Sequence, residues 1–117
     1  MSDQKYNGWT NYETWNVALW LDNDQGTQSY WADQAQEIFD RALSAKTRTR
    51  EESATYWLAD RLKDEINESA PDLGASMFSD LLGAALSEVN WDEIAKSMIE
   101  NVEKSETDVP EKADYPD

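Results

Sequence analysis

TNYETWNVALWLD, residues 10–22, decides the fold class. Thr10 stands three residues before Glu13, the spacing at which each side chain can satisfy the other's free amide at a helix start. Tyr12, Trp15, Ala18, Leu19 and Asp22 follow at helical spacing, and Val17, Trp20 and Leu21 widen the apolar surface. A helix that is apolar nearly all round is either central to a core or one that shows a face to a partner.

The neighbouring segments repeat the helical pattern. Asp22-Asn23-Asp24-Gln25-Gly26 reads as a turn, with the glycine providing a left-handed exit. A second helix is expected over 28–44, its stripe formed by Trp31, Ala35, Ile38 and Ala42, with Asp33, Glu37 and Asp40 facing outward. After the basic connector AKTRTR (45–50), Thr49 and Glu52 repeat the capping pattern and open a third helix over 50–68, with Ala54, Trp57, Leu58, Leu62 and Ile66 inward. Pro71-Asp72-Leu73-Gly74 breaks the chain. Met77, Phe78, Leu81, Leu82, Ala85 and Leu86 then mark a fourth, strongly apolar helix with few charges. Asn90, three residues before Glu93, opens a fifth, with Trp91, Ile94, Ala95, Met98, Ile99 and Val102 inward. No stretch alternates convincingly as a strand. The expectation is an all-α, single compact domain of about five helices over 1–103. An acidic tail without periodicity, 104–117, is expected to be disordered.

At 117 residues one core is expected, and its 39% apolar content is low, so six tryptophans and five tyrosines must supply much of the buried area. Twenty-five acids against ten bases leave a net charge of −15. The excess is uneven: residues 1–45 hold seven acids and two bases, 46–65 five of each, and 66–117 thirteen acids and three bases. Such a field repels nucleic acid and anionic membrane and draws in basic partners. No direct nucleic-acid or membrane binding is therefore expected. Cysteine and histidine are absent, which removes disulfides, the usual zinc ligands, thiol nucleophiles and the commonest general base. A non-enzymatic protein without a cofactor is expected. With no long apolar run and a polar amino terminus, cytoplasmic residence is the default.

The local motifs weaken further when tested. Carboxylate pairs are so numerous that any one is more simply a solvated helix surface than an acid/base couple. Asp22, Asp24 and Asp33 occupy positions one, three and twelve of a calcium-loop register, but Thr27 stands at six where glycine is required and Asp replaces the bidentate Glu at twelve. No metal is expected. Arg41, Lys46, Arg48, Arg50, Arg61 and Lys63 could form a basic patch, yet AKTRTR has no interleaved aromatic for strand stacking. Salt bridges to Glu51, Glu52, Asp60, Asp64 and Glu65 account for these bases more simply. Trp15, Trp31, Trp57 and Trp91 lie on inner stripes and read as core. Trp9 and Trp20 do not. Trp9 is either a hydrophobic staple before the first helix or a binding anchor, and Trp20 is an anchor candidate beside Val17 and Leu21.

Gly8 to Asp24, GWTNYETWNVALWLDND, resembles the opening of a family of small uncharacterised proteins of phages, plasmids and other mobile elements. Val89 to Ala95, VNWDEIA, is similar to a stretch of plasmid antirestriction proteins that mimic DNA. These resemblances imply a counter-defence protein that presents carboxylates where a DNA-binding enzyme expects phosphates. A domain of this size spans roughly 35 Å, a length of duplex with about 20 phosphates. One copy can mimic only a short segment, and a homodimer would do so better.

The expected function is thus binding and inhibition of a host nucleic-acid-handling protein, of antirestriction or anti-CRISPR type, through a basic surface on that partner. Glu88, Asp92, Glu93, Glu100 and Glu103 are the expected contacts. The alternative is a structural or regulatory interaction module that uses the aromatic face of Trp9 and Trp20, with acidity serving solubility alone.

Overall fold

The computed structural model describes residues 6–44 and 47–103. The expected tail, 104–117, and Lys46 of the basic connector lie outside the described residues. Five helices follow in order: α1 (Tyr12–Asn23), α2 (Gln25–Arg41), α3 (Arg50–Ser69), α4 (Met77–Ser87) and α5 (Trp91–Glu100). The fold is all-α, as expected.

Local chemistry sets the boundaries. Asn11, not Thr10, caps α1: its side chain accepts the Thr14 amide at 2.9 Å, while the Thr10 amide is drawn away to Glu93. Between α1 and α2 the expected turn shrinks to one extended residue, Asp24, whose carboxylate accepts the Thr27 amide at 3.1 Å. That cap lets α2 start at Gln25 rather than 28, so Gly26 lies inside the helix and gives no left-handed exit. The other end of α2 comes at Arg41, because Ala42 turns extended (φ −76°, ψ 146°) and carries Ala42 and Leu43 into the core. Thr49 and Glu52 form the expected capping box of α3, and Asn90 caps α5. Before α4, Gly74 takes a left-handed φ of +66°, its amide bound by Asp72 at 3.0 Å, and Ser76 caps the helix.

The core is built by α2, α3 and α5. Trp31, Ile38 and Phe39 of α2 meet Leu58 and Leu62 of α3 and Ile94 and Ile99 of α5, all almost fully buried. Alanines 54 and 95, both fully buried, let α3 and α5 approach along the largest helix interface. The first helix lies across α2 and α5 and packs Val17, Ala18 and Leu21 onto them. It is the peripheral of the two possibilities that its all-round apolar pattern allowed: Thr14 is its one buried residue, and Trp20 is 68% exposed.

Polar ties fasten α1 to the start of α5. The Thr14 hydroxyl, fully buried, accepts the Asn90 amide at 2.8 Å, and the Asn11 side chain donates to the Glu88 carbonyl at 2.8 Å. A second fastening involves Arg50, buried at the start of α3. Its Nε donates to the carbonyls of Ala42 (2.9 Å) and Phe39 (3.2 Å), and its guanidinium lies 4.3 Å from the Phe39 ring centroid. A cation is thereby placed on the negative end of α2.

The fourth helix stands apart. None of its residues is buried, and none joins the core cluster. Met77, Phe78 and Leu81 are 64%, 62% and 61% exposed. Each forgoes about 1–2 kcal/mol of burial.

Candidate interaction surface

The large α3/α5 interface leaves an outer seam where the polar sides of both helices face solvent. Two shallow grooves follow it. One is bordered by Tyr56, Asp60 and Lys63 of α3 and by Glu88, Asn90 and Asp92 at the start of α5. The other is bordered by Arg48, Glu51, Glu52 and Tyr56, and by Asp92, Lys96 and Glu100 across the seam. Asp92 and Tyr56 belong to both grooves, which makes one continuous face. Its carboxylates are Glu51, Glu52, Asp60, Glu88, Asp92 and Glu100, interleaved with Arg48, Lys63 and Lys96. The face is acidic by excess rather than uniformly so.

Helical spacing explains the alignment. Asp92, Lys96 and Glu100 are four residues apart on the exposed side of α5, while Ile94, Ala95 and Ile99 turn inward. Of the five expected acidic contacts, the structure brings Glu88, Asp92 and Glu100 onto this seam. Glu93 is half-buried and accepts the Thr10 amide at 3.1 Å, so its carboxylate serves the α1 docking. Glu103 is exposed, but its backbone is held on α2 through paired 2.9 Å hydrogen bonds with the Gln36 side chain.

Residues not singled out from the sequence complete the face. Tyr56 is 54% exposed, with the Arg48 guanidinium 5.1 Å from its ring centroid. Glu51 and Glu52 project from the first turn of α3, where acids are favoured by the helix dipole as well. The signal for Tyr56 was its place next to the inward Trp57, a helical neighbour that must point elsewhere. The bases do not collect into a patch: Arg41 pairs with Glu37 at 3.8 Å, Arg50 is buried at the α2 terminus, and Arg61 donates to Gln34 at 2.6 Å.

The two tryptophans separate. Asn7 and Gly8 both take positive φ (51° and 93°), a two-residue turn closed by paired hydrogen bonds between Tyr6 and Trp9. This turn folds Trp9 onto the core, where it is half-buried and, with Trp15, Trp31, Leu21 and Met98, lines a cavity of about 460 Å³ between α1, α2 and α5. Trp20 points outward from α1 beside Leu19.

Of the calcium-register residues, Asp24 is spent on the α2 cap, and Asp22 accepts the Gln28 side chain at 2.9 Å. Among the described residues no group of three acids is placed to hold a metal ion. No described helix is long and apolar enough to cross a membrane. Tyr30 donates to Glu65 at 2.8 Å across α2 and α3, and this bond to a carboxylate raises the phenol's pKa above its ordinary value.

No curated protein and no solved structure matches the chain significantly. A family model does, over residues 2–117, and the chain therefore belongs to DUF7249, a family of unknown function.

Proposed function

We propose that this chain is a mobile-element accessory protein that acts in the cytoplasm by binding and inhibiting a host nucleic-acid-handling protein. The observation that carries the reading is the α3/α5 seam, where six carboxylates border two joined grooves on a chain of net charge −15. Carboxylates held on two packed helices are pre-positioned, so a basic protein surface meets them at little further entropic cost. Long-range attraction speeds the encounter, as expected for a chain that competes with DNA for the same site. The origin in mobile elements rests on the resemblance of residues 8–24, and the mimicry on that of residues 89–95. Arg48, Lys63 and Lys96 within the face favour a partner that also offers acceptors over a featureless basic groove.

The test is protection of cells against restriction or CRISPR interference, combined with capture of host proteins at low and high salt. Capture of a basic nucleic-acid-handling protein, lost by about tenfold or more when salt rises from 50 to 200 mM and lost in D92N/E100Q, supports the proposal. Absence of protection together with absence of a basic partner overturns it.

One observation favours a second reading. Trp20, 68% exposed beside Leu19, offers an aromatic anchor for a protein partner. Binding through it would respond weakly to salt and would be abolished by W20S.

A further inference from the structure

From the exposed face of α4 we infer that this chain forms a homodimer, with α4 of one copy packed on α4 of the other. Met77, Phe78, Leu81 and Ala84 fall on one side of the helix at helical spacing, all exposed, and Leu73 leads into the same patch at 41% exposure. No residue of α4 is buried among the described residues.

Charge selects the occupant. Two copies that each carry −15 repel one another, so self-association requires a face with little charge. In α4 Asp80 is the one ionisable residue, and it lies to the side of the apolar stripe. The other candidate, the outer side of α1, interleaves Glu13, Asn16 and Asn23 with Tyr12, Leu19 and Trp20. A basic partner gains nothing from α4, because its attraction is to the acids of the α3/α5 seam. A second copy is the partner whose chemistry matches an uncharged apolar stripe.

The area suffices. Against full side-chain areas of about 200 Å², the exposed fractions of Leu73, Met77, Phe78 and Leu81 leave about 450 Å² of apolar surface per copy. Pairing buries about twice that, and the flanking Leu82, Ala84 and Ala85 bring the total to the roughly 1,000 Å² at which specific interfaces begin. The dimer is accordingly expected at the weak end of specific interfaces. Its salt response is distinctive: screening of the like charges makes it tighter as salt rises, the reverse of binding through the acidic seam.

Sedimentation equilibrium on the purified full-length chain tests this, and it needs no host partner, so its outcome is independent of the proposed function. The expected mass rises from 13.4 kDa toward twice that value between about 1 and 300 µM, and the transition shifts to lower concentration in higher salt. L81E should remain monomeric throughout while keeping the wild-type helical signal and low-concentration melting point, because Leu81 is 61% exposed in the single chain. A wild-type chain that stays at 13.4 kDa at about 300 µM overturns the inference, as does an L81E variant that dimerises like wild type.

Discussion

Replacement of Arg50 by alanine probes how the core is closed. Arg50 occupies the first turn of α3, where the dipole of its own helix disfavours a cation and alanine is the better helix former. Local preferences alone therefore make R50A neutral or slightly stabilising. The tertiary contacts point the other way. The Nε bond shared between the Ala42 and Phe39 carbonyls is charge-assisted and contributes about 1.5–3 kcal/mol, and the longer bond from Nη2 to the Asp40 carbonyl (3.3 Å) adds about 0.5–1. The cation on the α2 terminus and over the Phe39 ring adds roughly 1–2 kcal/mol, from which desolvation of the guanidinium subtracts a similar amount. The expected loss is about 3 kcal/mol. Urea unfolding followed by tryptophan fluorescence reads this directly: with a slope of about 1.5 kcal/mol per molar, the midpoint falls by about 2 M. R50K keeps the charge without the planar fork and should lose about half as much. An R50A midpoint within about 0.3 M of wild type would refute the reasoning, for then the α2 terminus is satisfied without Arg50.

Three further outcomes follow from named contacts. T14V keeps the shape of Thr14 but leaves the Asn90 amide without its 2.8 Å acceptor, so a cost of about 1–3 kcal/mol is expected in the same urea assay. Tyr30 has a raised pKa because it donates to Glu65, so its share of stability is complete below the ordinary phenol value of 10.0 and lost as pH rises through the higher folded value. Melting points of wild type and Y30F should accordingly converge above pH 10, and a gap that stays constant with pH speaks against the bond. Tryptophan substitutions should divide by burial: W31A at 5% exposure is expected to cost about 3–5 kcal/mol, whereas W20S at 68% should stay within about 0.5 kcal/mol and remove the red-shifted part of the emission.

Local chemistry made most of the fold legible. Helix caps depend on a side chain and an amide three residues apart, so Thr49 with Glu52 and Asn90 with Glu93 announce α3 and α5 wherever those helices lie. The same locality misled at α1, where Thr10 and Asn11 both fit a cap and long-range ties accompany the choice of Asn11: its side chain also donates to the Glu88 carbonyl, and the Thr10 amide is held by Glu93, 83 residues away. Asp92 and Glu100 were expected contacts because of their charge, and their spacing of eight residues puts both on the exposed side of α5. Glu93, their neighbour in sequence, was indistinguishable from them until α1 came to rest on it.

The all-α class, the five helices, the acidity and the lack of histidine and cysteine are properties of composition or of residues within one helical turn, and are legible in the sequence alone. Which apolar helix is left uncovered is a matter of long-range packing. By hydrophobicity α4 is a better candidate for the interior than α5, yet α5 fills the core and α4 stays outside. Burial depends on which surfaces the connections allow to meet. The Asn11, Thr14 and Glu93 ties dock α1 against the start of α5, and α3 closes along the other side of α5, so the core of the described residues is filled without α4.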